Sequence, residues 1–358
     1  MGAYSSENVI TTMGLKKTYK IKAKKEGLAA GFRALVKPEW RRVEAVRGID
    51  LHVSKGEILA FIGPNGAGKS TFIKMLCGIL HPSEGDISVL GLSPQRDRRR
   101  LAMKIGTVFG QKSQLWLHLP PVDSFTLLAA IYEISDDERK RRVGELTELF
   151  DLAGFLDTPV RKLSLGQRIR CEVAASLLHN PEILFLDEPT IGLDVVVKQA
   201  IRELILKRNR ERGTTVFLTS HDPADIEHLC ERAVVIDHGI VVLDQPVDKM
   251  RSDYLKKKLV DVTFAISQAL PEMEGVIATD VNAPATKAED YARRGAACCA
   301  QPDRRVKSPH WTLSVDTSVT PIGEVMNRIS ELGYVLDITI NNPPMEEIIT
   351  AIFESQKH

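Results

Sequence analysis

The stretch that most constrains this chain is a glycine-rich segment, residues 63–71, which reads Gly-Pro-Asn-Gly-Ala-Gly-Lys-Ser-Thr. It follows an apolar, strand-like run at 58–62 and precedes a helix-compatible one. Three glycines let the backbone wrap closely around an anion, and a helix that begins behind them adds the positive end of its dipole. Lys69 supplies charge for the β- and γ-phosphates, and Ser70 supplies a hydroxyl for Mg²⁺. The segment therefore matches the phosphate-binding P-loop, or Walker A pattern, G-x-x-x-x-G-K-S.

Two carboxylates follow a second, near-continuous apolar run, at residues 182–186. Such a run is typical of a central parallel strand that is covered on both faces. Ligands of open α/β sheets bind at the carboxyl ends of the strands, so Asp187 and Glu188 are expected beside the P-loop. Phosphoryl transfer depends on positioning and charge stabilisation. We therefore predict that Asp187 is the Walker B ligand of Mg²⁺ and that Glu188 polarises the attacking water.

Further short elements, together with the P-loop, resemble the motif set of ABC transporter ATP-binding subunits. They are Gln111, residues 163–167 (Leu-Ser-Leu-Gly-Gln), residues 187–190 (Asp-Glu-Pro-Thr), residues 192–194 (Gly-Leu-Asp) and His221. The resemblance covers residues 9 to about 250. It implies that ATP is hydrolysed with Mg²⁺ by a head-to-tail homodimer. In such a dimer the residues 163–167 of one subunit, called the signature, contact the γ-phosphate held by the P-loop of the other.

The resemblance also implies roles for single residues. Gln111 would sense Mg²⁺ and the γ-phosphate, His221 would contact the γ-phosphate, and Asp194 of the D-loop would cross the dimer interface. The implied catalytic residues are Glu188, His221 and Gln111, and the implied metal ligands are Ser70, Gln111 and Asp187. The implied contacts to ATP in the same subunit are Tyr19, Gly63, Pro64, Asn65, Gly66, Ala67, Gly68, Lys69, Ser70 and Thr71. The implied contacts from the partner subunit are Ser164, Leu165, Gly166 and Gln167.

Two of these assignments depart from the usual family pattern. Tyr19 resembles the aromatic residue that stacks on adenine, a contact of roughly 1–3 kcal/mol by analogy with base stacking. A basic insertion, within residues 20–47, separates Tyr19 from the P-loop. Phe32 or Trp40 could therefore compete with Tyr19 for stacking on adenine. Leu165 stands where the signature usually has glycine, and a positive φ there would cost about 1–3 kcal/mol. We expect a negative φ and a working site.

The pattern of elements predicts an α/β fold with a helical insert at about 112–180. The resemblance implies that the core is a P-loop NTPase of the RecA-like type, and that an antiparallel β subdomain and an α-helical signature subdomain complete an ATP-binding domain over residues 1–250. Residues 9–19 predict a strand that ends in a turn at 16–18. Alternating and helically spaced apolar residues predict a small α+β domain over 251–358. This tail contains no acid, base or phosphate motif that we recognise, so we expect it to be accessory.

The composition of the chain limits the kinds of partner and cross-link that we expect. A net charge of +1 gives no whole-chain reason to expect nucleic acid, and five scattered cysteines do not form a disulfide framework. We expect neither a signal peptide nor a spanning helix, because the first nine residues are polar and no apolar run approaches about 20 residues. The segment 20–47 has nine Lys and Arg against three Glu. It fits a solvated insertion better than a surface for anionic headgroups or a membrane partner.

The resemblance extends to a branch of the family. Residues 108–116, the basic insertion and the Asn-Pro-Pro-Met-Glu-Glu tail segment at 342–347 resemble a bacterial branch with separate ATPase and membrane subunits, mostly assigned to export. We therefore expect an exporter ATPase on the cytoplasmic face of the cell membrane. The apolar loop 115–121, from Leu115 to Pro121, either binds the membrane subunit or packs into the core of this chain. An ABC importer subunit and a soluble ABC ATPase acting on ribosomes or DNA are the alternatives.

Overall fold

The computed structural model describes residues 8–22, 40–109, 113–220, 222–254, 257–265, 273–280, 310–317, 319–332, 335–341, 348–350 and 352–353. The chain divides into two compact units, Met1–Val247 and Asp248–His358. Most of the basic insertion, including Phe32, lies outside the described residues, as do Gln111 and His221. Among the helices that the structure describes, none is long and apolar enough to cross a membrane.

The described residues of both units form strands and helices. The strands are β1 (Asn8–Lys22), β2 (Trp40–Ser54), β3 (Ile58–Ile62), β4 (Glu84–Val89), β5 (Ile105–Phe109), β6 (Ile183–Asp187), β7 (Thr215–Thr219), β8 (Arg232–Asp237), β9 (Ile240–Pro246), β10 (Lys257–Phe264), β11 (Val276–Asp280), β12 (His310–Asp316) and β13 (Val335–Asn341). The helices are α1 (Lys69–Leu76), α2 (Arg98–Ala102), α3 (Pro121–Ile131), α4 (Asp136–Leu149), α5 (Leu165–Leu177), α6 (Val195–Arg212), α7 (Pro223–Leu229), α8 (Val247–Tyr254) and α9 (Ile322–Glu331).

A six-stranded sheet with the order β5-β6-β7-β3-β8-β9 forms the centre of the first unit. All neighbouring pairs are parallel except β8 with β9. Strands β3 and β7 are buried at every residue, as expected for strands covered on both faces. Because β3, β5, β6 and β7 are parallel, their carboxyl ends lie along one edge of the sheet. The P-loop, Gln111, the carboxylate pair and His221 all follow these ends in the sequence.

A second, antiparallel sheet has the order β2-β1-β4. The predicted turn at 16–18 is wrong, since β1 continues to Lys22, opposite Trp40 of β2. Cross-strand partners explain the difference. Lys16 lies opposite Arg47 and Glu84, and its Nζ is 2.6 Å from the Glu84 carboxylate. Register shifts on either side of this lysine accommodate the polar stretch within the strand.

Between β5 and β6 the described elements are all helices. Helices α3, α4 and α5 lie there, with a short 3₁₀ helix at Val160–Lys162 directly before the signature. In the loop 115–121, Leu115 is buried at 4% exposure, whereas Trp116 and Leu117 are 40% and 47% exposed. The loop is therefore anchored by its first residue and presents the next two to solvent.

The second unit has a four-stranded antiparallel sheet with the order β11-β12-β10-β13. Alternate residues of β10 and β12 form its core against the apolar face of α9. These core residues include Val260, Val262, Phe264, Leu313, Val315, Val325 and Ile329. Strand β11 is absent from the sequence prediction. The reason is that Ile277 is apolar but exposed, so β11 lacks the alternation of apolar and polar residues that predicts an edge strand.

Candidate active site

The P-loop occupies the turn between β3 and α1. At Gly63 an added Cβ would lie 2.5 Å from the carbonyl oxygen of Ile236, and at Gly68 it would overlap the carbonyl oxygen of Ala45. Gly68 also has φ of 107°, a conformation that favours glycine. It provides no side chain to cap α1. Packing and backbone conformation therefore both require glycine at Gly68, directly before a helix N-terminus of the kind that binds anions.

Lys69 reaches back over this loop. Its side chain is buried at 5% exposure, and Nζ donates to the carbonyl oxygens of Gly63 at 2.5 Å and Pro64 at 3.3 Å. Burial lowers the pKa of Lys69, while the charges of Glu188 and Asp187 act in the opposite direction. The structure therefore brings the predicted phosphate-binding cation within electrostatic range of both predicted acids.

The carboxylate pair is fixed by one threonine. In the sheet register, Asp187 at the end of β6 lies between Phe109 of β5 and Thr219 of β7. Thr219 Oγ1 donates to Asp187 Oδ1 at 2.7 Å, and the Glu188 N–H donates to the Thr219 carbonyl at 3.0 Å. Glu188 has φ of 56°, a left-handed conformation that costs a non-glycine residue about 1–3 kcal/mol. Thr219 therefore contacts the side chain of Asp187 and the backbone of Glu188 at this strained turn.

Gln111 and His221 lie outside the described residues. The structure describes both neighbours of His221, and it describes the chain up to Phe109 and again from Ser113 on either side of Gln111. Phe109 is the last residue of β5 and Ser220 directly follows β7, and these strands are the two neighbours of β6. The roles of Gln111 and His221 as γ-phosphate contacts remain predictions.

A buried polar network that the sequence analysis did not anticipate lies behind the carboxylates. Asp225 is fully buried and accepts hydrogen bonds from Thr190 Oγ1 at 2.5 Å, Ser220 Oγ at 2.7 Å and Arg202 Nε at 2.7 Å. It thus ties the segment after Glu188 to the residue before His221. In the sequence, Asp222-Pro223 indicates a helix cap at the start of α7. No local pattern indicates that residues of α6 will contact Asp225.

Asp222 belongs to the same network. Its carboxylate lies 2.6 Å from Lys198 Nζ and 3.3 Å from the Arg202 guanidinium. Burial, the largest influence, would raise the pKa of Asp222, but hydrogen bonds from Lys198 and the Ala224 N–H, with the nearby cations, lower it overall. Both residues that flank His221 are therefore held by α6 and α7.

The signature forms the start of α5. Ser164 Oγ accepts from the Gln167 N–H at 3.2 Å, and Gln167 Oε1 accepts from the Ser164 N–H at 3.0 Å, a reciprocal capping box. Leu165 is the first helical residue and is not among the described residues with positive φ. The expectation of a negative φ at Leu165 is confirmed. Its side chain covers Gly192, where an added Cβ would come within 3.1 Å of it.

The D-loop lies beside the signature and is apolar at its surface. Asp194 caps α6 by accepting from the Val197 N–H at 2.9 Å. Around it, Ile191 is 58% exposed and Val195 and Val196 are each 79% exposed. Grouped exposed aliphatic side chains of this kind mark a surface that associates with a partner.

Tyr19 lies in β1 opposite Val43 and is half-buried, with Lys17 Nζ 5.3 Å from its ring centroid. Its competitor Trp40 is 56% exposed at the beginning of β2. Stacking of Tyr19 on adenine stays a prediction.

The fold and the site together define a P-loop nucleotide hydrolase, and comparisons identify its family. The family described as ABC transporter matches residues 46–191. The ABC transporter ATP-binding protein NatA of Bacillus subtilis is 32% identical over 200 residues, covering 56% of this chain and 81% of NatA. The daunorubicin resistance ATP-binding protein DrrA3 of Streptomyces coeruleorubidus is 35% identical over 214 residues, covering 59% of this chain and 66% of DrrA3. This chain belongs to the ABC transporter ATP-binding proteins and is an ATPase.

Solved structures agree with this assignment. The dimeric ATP-binding cassette MJ0796 bound to ADP and Pi superposes with a TM-score of 0.56 at 28% identity, covering 66% of this chain and 98% of that one. The predicted fold class, a P-loop core with antiparallel and helical subdomains, is confirmed.

Proposed function

We propose that this chain is the ATP-hydrolysing subunit of an ABC exporter. In this proposal, residues 1–250 are the motor and residues 251–358 are an accessory domain. The motor works as a head-to-tail homodimer on separately encoded membrane subunits, at the cytoplasmic face of the cell membrane. The observation that carries the ATPase part is the convergence of Lys69, Asp187 and Glu188 at one edge of the central sheet.

The chemistry follows from the groups at that edge. Mg²⁺ prefers oxygen ligands, and the Ser70 hydroxyl, the Asp187 carboxylate and the Gln111 amide would provide them. Bound Mg²⁺ would neutralise charge on the β- and γ-phosphates. Lys69 holds the same phosphates, and Glu188 orients and polarises the attacking water. Because the Glu188 backbone is held by Thr219 before the nucleotide arrives, the region that its carboxylate can reach is limited in advance.

The head-to-tail dimer is supported by the surface around the signature. Leu165, Ile191, Val195 and Val196 are exposed aliphatic residues next to Ser164 and Asp194. The related cassette MJ0796 forms a dimer. In the proposed dimer, this surface meets the P-loop face of the second copy, and Ser164 and Gly166 reach its γ-phosphate.

The partner part of the proposal rests on the loop 115–121. Trp116 and Leu117 are exposed while Leu115 anchors the loop, so two large apolar side chains are available to a helix of a membrane subunit. Aromatic residues dominate the energetics of many interfaces. Trp116 is therefore the proposed anchor.

Trp116→Ala tests the loop. We expect reduced co-purification of the tagged chain with membrane subunits and reduced transport, with ATP binding retained. Ile277→Ala, which removes another exposed apolar side chain, serves as the matched control. Marked destabilisation of the isolated Trp116→Ala protein, with recruitment unchanged, would show that Trp116 serves the fold instead.

Export is supported by relatives named for drug resistance or antibiotic transport. Besides DrrA3, they include the bacitracin transport ATP-binding protein BcrA of Bacillus licheniformis, 32% identical over 226 residues and covering 62% of this chain and 72% of BcrA. Import is the second candidate. The methionine import ATP-binding protein MetN of Halalkalibacterium halodurans is 36% identical over 252 residues, covering 69% of this chain and 73% of MetN.

A paired assay distinguishes the two directions. The chain and the membrane subunits that co-purify with it are expressed in a host, and the wild type is compared with Glu188→Gln. Export predicts lower susceptibility to daunorubicin or bacitracin in the wild type only. Glu188-dependent uptake of labelled methionine, with drug susceptibility unchanged, would instead support import.

A further inference from the structure

A buried carboxylate on the signature helix holds the segment that follows β5. Glu172 of α5 is 4% exposed. Its carboxylate accepts hydrogen bonds from Ser113 Oγ and, at 3.1 Å, from the Gln114 N–H. The Gln114 side-chain amide donates in turn to the backbone carbonyl of Glu172 at 2.8 Å. One residue of α5 therefore binds the two residues directly before the loop 115–121 through both its side chain and its backbone.

The other end of the same loop is fixed to the residues before the signature. The Arg161 N–H donates to the Leu117 carbonyl at 2.9 Å, and the Val160 N–H donates to the Leu119 carbonyl at 3.0 Å. Both donors belong to the 3₁₀ helix Val160–Lys162, which is followed by Leu163 and Ser164. The loop 115–121 is thus attached on one side to the body of α5 and on the other to the segment that leads into it.

We propose that Glu172 is a positioning residue that locks the loop 115–121 to the signature helix, so that the loop and Ser164 move as one body. The proposal rests on the proposed roles of the loop in partner binding and of Ser164 in contacting the γ-phosphate. Partner binding at Trp116 is then transmitted directly to the signature. This route consists entirely of described contacts and is additional to any route through Gln111.

The chemistry of Glu172 explains why this one residue matters. Burial raises the pKa of its carboxyl, and the hydrogen bonds from Ser113 and the Gln114 backbone oppose the increase. The two donors face two acceptor oxygens. Glutamine has the same length but only one acceptor oxygen, and its NH₂ group would face a donor. Glu172→Gln therefore releases one attachment with little change in volume.

The experiment uses the fluorescence of Trp116 in the full-length chain. MgATP is titrated into Glu188→Gln, which is expected to accumulate as an ATP-bound dimer, and dimer formation is followed by gel filtration. The Trp116 signal is the difference between this protein and the same protein carrying Trp116→Phe. We expect the Trp116 emission to change as the dimer forms. Adding Glu172→Gln should abolish most of this change while the dimer still forms.

Two further variants distinguish loss of the attachment between the loop and α5 from a loss of stability of α5 itself. Ser113→Ala removes one donor to Glu172 without altering α5, and it should also reduce the signal. Ser176→Ala removes a buried hydroxyl of α5 that bonds only to the carbonyl of Val173 among its described contacts, and it should leave the signal unchanged. A full Trp116 signal in both Glu172→Gln and Ser113→Ala would overturn the proposal. So would the absence of any Trp116 signal when the Glu188→Gln dimer forms, or an equal loss in Ser176→Ala.

The outcome is independent of the membrane partner, because only the isolated chain is measured. A Trp116 signal that depends on Glu172, in a chain whose recruitment is unaffected by Trp116→Ala, would support the linkage and contradict only the partner assignment. A Glu172→Gln protein that is folded by circular dichroism yet no longer dimerises would place Glu172 in support of the dimer interface. That result would overturn the linkage.

Discussion

Removal of the Asp225 carboxylate should destabilise the ATP-binding unit strongly. Asp225 is fully buried, and Arg202, whose side chain is 8% exposed, donates to it at 2.7 Å. Asp225→Ala would leave the buried guanidinium without this partner, and breaking a buried ion pair from one side costs about 3–5 kcal/mol. The Thr190 and Ser220 hydroxyls would lose the same acceptor. Since domains are stable by only about 5–15 kcal/mol, this loss is a large fraction of the total.

Urea denaturation measures the effect. The matched control is Glu182→Ala, which breaks the pair of Lys104 and Glu182 at 2.7 Å, where both side chains are about half exposed. Exposed pairs contribute about 0–1 kcal/mol, so the control should unfold almost like the wild type. A loss below about 1 kcal/mol for Asp225→Ala would refute the reasoning, because it would mean that water or Asp222, already 3.3 Å from the guanidinium, compensates Arg202 without cost.

Three further predictions concern catalysis, the tail and pH. Glu188→Gln should bind MgATP but hydrolyse it slowly, whereas Lys69→Ala should weaken binding itself because it removes a charge-assisted contact to phosphate. Equilibrium titration and steady-state turnover separate the two, and wild-type turnover in Glu188→Gln would remove Glu188 from its role. A chain ending at Tyr254 should still bind MgATP, since every predicted ATP contact precedes it. A folded truncation without binding would contradict an accessory tail. His179 has its pKa lowered from 6.5 to about 4, chiefly by burial, so it is neutral in the folded chain and protonates more readily when unfolded. The free energy of unfolding should therefore fall as the pH falls from about 6.5 to about 4, less so in His179→Gln, and equal pH profiles would contradict this.

The parts of the fold that the sequence predicts well are those fixed by local chemistry. Strands β3 and β5 begin and end where their apolar runs do, and the P-loop and carboxylate pair follow such runs directly. These predictions succeed because a tight glycine turn and a buried parallel strand each constrain a few consecutive residues. The roles of Gln111 and His221 are inferred from their positions after strands, and they stay predictions.

The parts that the sequence analysis missed depend on distant partners. Helix α6 begins with three valines, two of them highly exposed, and β-branched residues favour strands over helices. Its start is set by the cap at Asp194 and its position by packing of residues such as Ile201. The polar networks around Asp225 and Glu172 join residues far apart in the sequence. No local pattern indicates which donors these acids will meet.

The most consequential of these distant contacts involves Thr219. Its side chain donates to Asp187, its carbonyl accepts from the Glu188 N–H, and its Oγ1 lies 3.1 Å from the same N–H. A threonine in a buried strand is ordinary in sequence terms, because β-branched residues are common there. Yet the left-handed conformation of Glu188 persists only if its surroundings hold it. The proposed metal ligand and the proposed water-orienting acid therefore share one support on β7, the strand that also leads to Ser220 and His221. Because both contacts come from Thr219, we expect displacement of the end of β7 to move Asp187 and the Glu188 backbone together.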